Sequence, residues 1–169
     1  MTTSKPAVAP PALTLVVGTE ELLADRAVSL VVSGARGMDP QTDVRDISAG
    51  DLTFAAIQEF LSPSLFSERR VVIVRGLGMG RAEDAVEEEA DADAASSSGS
   101  LDDRVVTALV NHSKSDEPEV HFVLVHRNAN SGRGQLNALK KSQATVTDCK
   151  TPTRKGYTEF VAAEFASLH

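Results

Sequence analysis

Tryptophan is absent from the sequence, tyrosine and cysteine occur once each, and aromatic residues make up only 4%. With so few flat rings, a surface that stacks several nucleic-acid bases in a row is not expected. Val, Leu and Ala must fill the core instead, and a hydrophobic content of 41% over 169 residues is enough for one compact domain. A chain of this size removes about two-thirds of its unfolded surface from water. Cys149 has no partner for an internal disulfide and cannot build a cysteine-based zinc site, which fits a reducing, cytoplasmic setting. It reads as a small buried hydrophobe.

Long apolar runs are also missing. Segments such as Leu13 to Val17 are the longest, far short of the ~20 residues that cross a bilayer, so no membrane partner is expected. The stretch from Met1 to Ala12 carries Pro6, Pro10 and Pro11 without a continuous apolar core, and reads as a flexible leader rather than a secretory signal. The formal charge of −7 argues against a protein that wraps a phosphate backbone. That charge is unevenly placed: residues 83 to 103 hold nine acidic groups and no Lys or Arg, and without them the balance is +2.

What is present is an alternation of short β-branched runs with segments of helical period, the pattern of a parallel sheet with crossover helices. Leu13 to Val17 is the first strand, and Gly18-Thr19 turns into a helix with Leu23, Ala27, Leu30 and Val31 on one face, ending at Ser33-Gly34. Asp43 to Ile47 is a weak, peripheral strand. Asp51 is the expected N-cap of a helix carrying Leu52, Ala55, Ala56, Phe60 and Leu61, which Ser62-Pro63 stops. Val71 to Val74 is an uninterrupted apolar strand of the kind buried on both faces at the centre of a sheet. Residues 78 to 100 combine glycines, serines and acidic groups that cannot bury enough surface to order themselves, and read as a disordered acidic insertion. A helix over Leu101 to His112, a strand over Val120 to Val125, a helix over Gln135 to Lys141, a strand over Ala144 to Thr147 and a last helix over Arg154 to Ser167 complete the chain. The expected fold is a five-stranded, mostly parallel α/β sheet with helices on both faces, of the P-loop NTPase shape.

In such a sheet the first strand, its turn and the next helix form the usual phosphate cradle, so Gly18 is where a phosphate loop would begin. The pattern Gly-x-x-x-x-Gly-Lys-Ser/Thr then requires Gly, Lys and Ser/Thr where the chain has Leu23, Ala24 and Asp25. Neither an ammonium for the terminal phosphates nor a hydroxyl for Mg²⁺ is present, and Glu20, Glu21 and Asp25 repel an anion while suiting the positive end of a helix. The strand Val71 to Val74 leads into Arg75 and Gly76 rather than an acidic metal ligand. The nucleotide site is therefore degenerate, and neither catalytic residues nor a cofactor or metal are expected. His121 and His126 stand at an odd spacing on a strand, which sends them to opposite faces and makes a poor metal pair; surface or strand-end histidines fit better. The acidic block lacks the spaced ligands and turn glycine of a calcium loop. Arg127, Arg133, Lys140, Lys141, Lys150, Arg154 and Lys155 give the last third a mild basic excess, which solvates helices or touches a phosphate backbone.

Between the second helix and the apolar strand lies Ser62-Pro63-Ser64-Leu65-Phe66-Ser67-Glu68-Arg69-Arg70. Leu65 and Phe66 are large apolar residues among polar ones, and either fold back onto the core or stand exposed as an anchor for a partner's pocket.

The segment SPSLFSERRVVIVRGL, Ser62 to Leu77, resembles the N-terminal domain of the delta subunit of the bacterial DNA polymerase III clamp loader. The resemblance extends to LTLVVGTEELLADRAV (Leu13 to Val28), HFVLV (His121 to Val125) and the closing pattern from Gln135 to Phe165. It implies an AAA+-like domain without a working ATP site, a non-catalytic part of the DNA replication machinery. In that family a Leu-Phe pair enters a hydrophobic pocket on the ring-shaped sliding clamp and favours opening of one ring interface. Leu65 and Phe66 occupy those positions, with Ser64 shaping the loop and Arg69 and Arg70 as rim contacts. The sliding clamp is the implied partner, other loader subunits follow only with the oligomerising collar, and DNA is met indirectly. The chain departs from the family in its long acidic insertion and in ending at His169, where a helical lid and the collar are expected to follow. A diverged P-loop ATPase or kinase, and a nucleic-acid-binding module built on the basic C-terminal third, are the alternative readings.

Overall fold

A strand buried on both faces is apolar along most of its length, and three runs of this sequence meet that condition at the heart of one sheet, interrupted by the buried Thr14 in one and the buried His121 in another. The computed structural model describes residues 9–63, 67–77, 101–127 and 133–150. Within them the strands are β1 (Leu13–Val17), β2 (Asp43–Ser48), β3 (Arg70–Leu77), β4 (Val120–His126) and β5 (Thr145–Asp148). They lie in the order β2-β3-β4-β1-β5, and every pairing between neighbours is parallel. β4 takes the middle place, with β3 and β1 on either side of it as the other interior strands; the weak, half-exposed β2 and the exposed β5 form the edges.

Alternation along the interior strands divides the core into two layers. Leu13, Leu15 and Val17 of β1, Val72 and Val74 of β3, and Val120, Phe122 and Leu124 of β4 face α2 (Phe54–Leu61), α3 (Asp103–His112) and α4 (Arg133–Lys140). Val16, Val71, Ile73, Val123 and Val125 face α1 (Glu21–Met38). A mostly aliphatic core is the packing solution for a chain this poor in aromatic residues, with Phe122 its largest fully buried side chain.

The expected α/β sheet is present, and its helices differ from the sequence reading in detail. α1 runs through Ser33-Gly34 to Met38, because an internal glycine weakens a helix by only about 1 kcal/mol and the stripe Ala24, Ala27, Val28, Val31 and Ala35 continues to bury itself. Leu30, expected on that stripe, is 66% exposed, and Leu23 is half-buried. Thr53 rather than Asp51 caps α2, its Oγ1 accepting the Ala56 N–H at 3.1 Å, while Asp51 belongs to a 3₁₀ turn over Ala49–Asp51. Leu52 is buried just ahead of α2, Ile57 is the helix's fully buried residue, and Ser62 ends it as expected. Asp102 caps α3 by accepting the Arg104 N–H, so that helix begins at Asp103. The leader up to residue 8, the whole acidic insertion of residues 78 to 100 and the helix expected over Arg154 to Ser167 lie outside the described residues.

Candidate functional site

The C-terminal edge of the sheet, where α/β proteins bind phosphates, is closed by the chain's own groups. Only Gly18, Thr19 and Glu20 separate β1 from α1, leaving Leu23, Ala24 and Asp25 inside the helix. The Gly18 N–H donates to the His126 carbonyl at 3.1 Å and the Glu20 N–H to the Cys149 carbonyl at 3.1 Å. Amides that a phosphate loop would aim at an anion are thus committed to β4 and to the residue after β5. Cys149 is buried against α1, and burial followed by the nearby Asp148 charge raises its thiol above the ordinary value.

Fixed charge pairs stand around the same edge. Arg75 donates to Asp25 of α1 at 2.9 Å and to Asp46 of β2 at 2.9 Å. The hydrogen bond to Asp46 raises the guanidinium's pKa most, burial opposes it, and the bond to Asp25 raises it further. A register shift between Val74 and Leu77 inserts a β-bulge at this point, with Gly76 at φ +85°, a conformation open to glycine. The bulge falls where a metal-holding carboxylate was sought in the sequence, and a cation stands there instead. Arg127 pairs with Glu21 in the first turn of α1. A cleft of about 440 Å³ between these groups has Asp46, Ser48, Arg75 and Arg127 in its wall.

The histidines of β4 take opposite faces, as their spacing requires, but both are buried rather than at the surface. His121 Nδ1 lies 3.1 Å from the Pro11 carbonyl and Nε2 lies 3.5 Å from Arg69 Nη1. A carbonyl only accepts and a guanidinium only donates, so the ring is neutral with its proton on Nδ1. His126 sits on the other face with Leu15, Leu77, Leu124, Leu136 and Leu139. Among the described residues no group of three or more His, Cys, Asp or Glu could hold a metal ion, and no helix is long and apolar enough to cross a membrane. Within the basic C-terminal third, Lys150 is paired with Asp148 at 2.6 Å, and Lys140 and Lys141 are exposed; Arg154 and Lys155 lie outside the described residues.

The loop that leads into β3 is at the N-terminal edge of the sheet, the end opposite the phosphate turn. Ser64, Leu65 and Phe66 lie outside the described residues, whereas both of their flanks are described. Arg69 donates to the Pro118 carbonyl at 3.0 Å. Arg70, with a side chain only 16% exposed, pairs with Asp43 at 3.3 Å and donates to the Phe60 carbonyl at 2.5 Å. Both arginines therefore have partners within the scaffold of the loop. Sequence reasoning missed Asp39, whose carboxylate accepts backbone N–H groups from Gln41, Glu68 and Arg69. The available signal was Asp39-Pro40, a dipeptide that favours turns, but nothing local pointed to partners some thirty residues away.

Among solved structures, the chain is similar to the Bacillus subtilis DNA clamp loader delta protein, with a TM-score of 0.56 and 20% identity over 91% of this chain and 42% of that one. A DNA polymerase III gamma subunit-related protein from Thermotoga maritima matches with a TM-score of 0.41 and 13% identity over 92% of this chain and 46% of its own. The chain thus spans less than half the length of either. No protein-family model matches the chain, and no curated protein matches it in sequence. The sheet and its helices share the α/β fold of the matched part of the clamp loader delta protein.

Proposed function

We propose that the chain is a domain of a non-catalytic clamp-loader subunit of DNA polymerase III, which docks on the sliding clamp through Leu65 and Phe66 and favours opening of the ring in DNA replication. The observation that carries this reading is the separation of the two ends of the sheet. At the C-terminal edge, Gly18 and Glu20 give their amides to the chain's own carbonyls and Arg75 is paired with two carboxylates, so the groups that would meet a nucleotide are already engaged within the chain. At the N-terminal edge, the segment with the Ser-Leu-Phe step enters β3 between braced flanks. A domain whose phosphate turn is closed acts through contacts, and an apolar pair on a loop is suited to a partner's pocket.

Burying such a pair is worth roughly 1.5 to 3 kcal/mol per side chain at most, enough to dominate a small interface without hydrolysis by this subunit. Ser64 shapes the loop, and association with other loader subunits would require the collar. The test is calorimetric titration of the full chain with the sliding clamp of its source organism. Replacing Leu65 and Phe66 together by Ala is expected to weaken binding by about 3 kcal/mol, roughly a hundredfold in Kd. An unchanged Kd, with the circular dichroism spectrum intact, would sink the assignment.

A further inference from the structure

α2 and α3 are the crossovers on either side of β3, so they run in the same direction over one face of the sheet and lie side by side. Each packs one stripe on the sheet, Ile57 from α2 and Val105, Val106 and Leu109 from α3. A second stripe of each is left over. Phe54, Gln58 and Leu61 recur at helical spacing along α2, and Arg104, Ala108 and Asn111 do so along α3. These stripes line an open groove of about 610 Å³ whose wall is mostly apolar, a size within the range of ligand sites. Phe54 stands in that wall 44% exposed. One end of the groove is firm, because His112 Nε2 donates to the Val120 carbonyl at 2.7 Å and the ring stands edge-on to Phe122.

The polar groups of the wall decide what fits. Its charges are Asp103 and Arg104, opposite in sign and adjacent in the first turn of α3. The rest of the groove is uncharged, so a charged occupant would lose water there without gaining a counter-charge, and a phosphate backbone would lack the several cations it needs. Gln58 on α2 and Asn111 on α3 stand in the same wall, and neither side chain has a hydrogen-bond partner among the described residues. A carboxamide both donates and accepts, which complements the N–H and C=O of a peptide backbone. An oily molecule would cover both carboxamides and satisfy neither. A helix has already used its backbone groups on itself, whereas an extended chain has them free and points alternate side chains to one side. We propose that the α2–α3 groove binds an extended, uncharged segment of a partner protein, with alternate apolar side chains against Phe54, Leu61 and Ala108 and its backbone held by Gln58 and Asn111. The two stripes run about 11 Å along their helices, the length of three to four extended residues at about 3.3 Å each. This site consists of described residues alone and does not depend on the clamp-docking reading.

The experiment titrates the nitrogen-15-labelled full chain with a pool of capped hexapeptides that carry Leu, Ile, Val or Phe at alternate positions and Ser between them. Binding is expected to shift the side-chain amide signals of Gln58 and Asn111, and the tightest peptide of the pool, carrying a dye, then gives Kd by fluorescence anisotropy. Replacing Gln58 and Asn111 together by Leu is expected to raise Kd about tenfold or more, as is N-methylation of the peptide's central amides, which removes N–H donors and keeps the side chains. Phe54→Ala is expected to raise Kd by a similar factor, with circular dichroism and urea unfolding checking the fold; should it fail to fold, Phe54→Leu is read instead. No shift at Gln58 and Asn111 overturns the proposal, and so does an unchanged Kd for the N-methylated peptide. Binding of the uncharged dye Nile red in the groove without peptide binding would assign it to small apolar molecules and overturn the proposal as well. A dimer in sedimentation that Phe54→Ala dissolves would make the groove an interface between copies of this chain, with the same consequence.

Discussion

Gly18 lies against Cys149 so closely that a Cβ on residue 18 would stand 2.2 Å from the Cys149 carbonyl oxygen. The glycine has φ +152°, and its neighbour Glu20 donates its N–H to that same carbonyl. A glycine at the head of the first α/β turn invites the expectation of a phosphate loop, but here it serves the close approach of backbone to backbone. Gly18→Ala must move either α1 or the end of β5, and is expected to cost about 3 kcal/mol in urea unfolding. The Cys149 N–H, which donates to the Val17 carbonyl at 2.7 Å, should exchange faster with solvent in the variant. Equal exchange in both proteins would show that the turn relaxes without disturbing β5.

Arg75 joins α1, β2 and β3 at the edge where a nucleotide would sit, yet its side chain is 38% exposed and those of Asp25 and Asp46 are 51% and 50% exposed. Partly solvated pairs contribute little, so Arg75→Ala is expected to lower stability by no more than about 1 kcal/mol, and by less as salt is raised. A ligand that bound the folded state would stabilise it by mass action, about 2.7 kcal/mol at a hundredfold excess over its Kd. Magnesium ATP is expected to leave the Tm of the native protein and of Arg75→Ala unchanged. A saturable rise in Tm would instead restore the ATPase reading.

The interior of the sheet was legible because burial on both faces demands largely apolar runs, and Val71 to Val74 supplies one without a break while Leu13 to Val17 and Val120 to Val125 do so around the buried Thr14 and His121. Edge strands were weaker signals, since Asp43–Ser48 and Thr145–Asp148 are half-exposed or exposed and carry little pattern. The end of α1 was misplaced because Ser33-Gly34 is a local stop signal, whereas the burial of Ala35 beyond it is a tertiary fact. The residue types that a phosphate loop needs are visibly missing at Leu23, Ala24 and Asp25, but the groups that engage the turn were not legible: His126 and Cys149 are far from Gly18 in the chain. Arg69 and Arg70 read in the sequence as rim contacts beside an apolar pair, and only the fold shows their partners at Pro118, Asp43 and the end of α2.

His121 gives the fold a pH dependence whose sign follows from its surroundings. Burial is the main cause holding its pKa below the ordinary value of 6.5; the hydrogen bond to Pro11 opposes this, and the charges of Arg69 and His112 add to the lowering. The unfolded chain therefore binds this proton at a higher pH than the folded one, and stability contributed by the neutral ring is present in full above about pH 6.5. It is lost as pH falls below that value, until the folded-state ring also titrates. Protonation would place a new N–H on Nε2 against the Arg69 guanidinium, where two donors face each other. The midpoint of urea unfolding is expected to fall as pH drops below about 6.5, and His121→Gln, which keeps a donor and an acceptor without titrating, should flatten that slope. A slope unchanged in the variant would assign the pH dependence to other groups and leave His121 a purely packed residue.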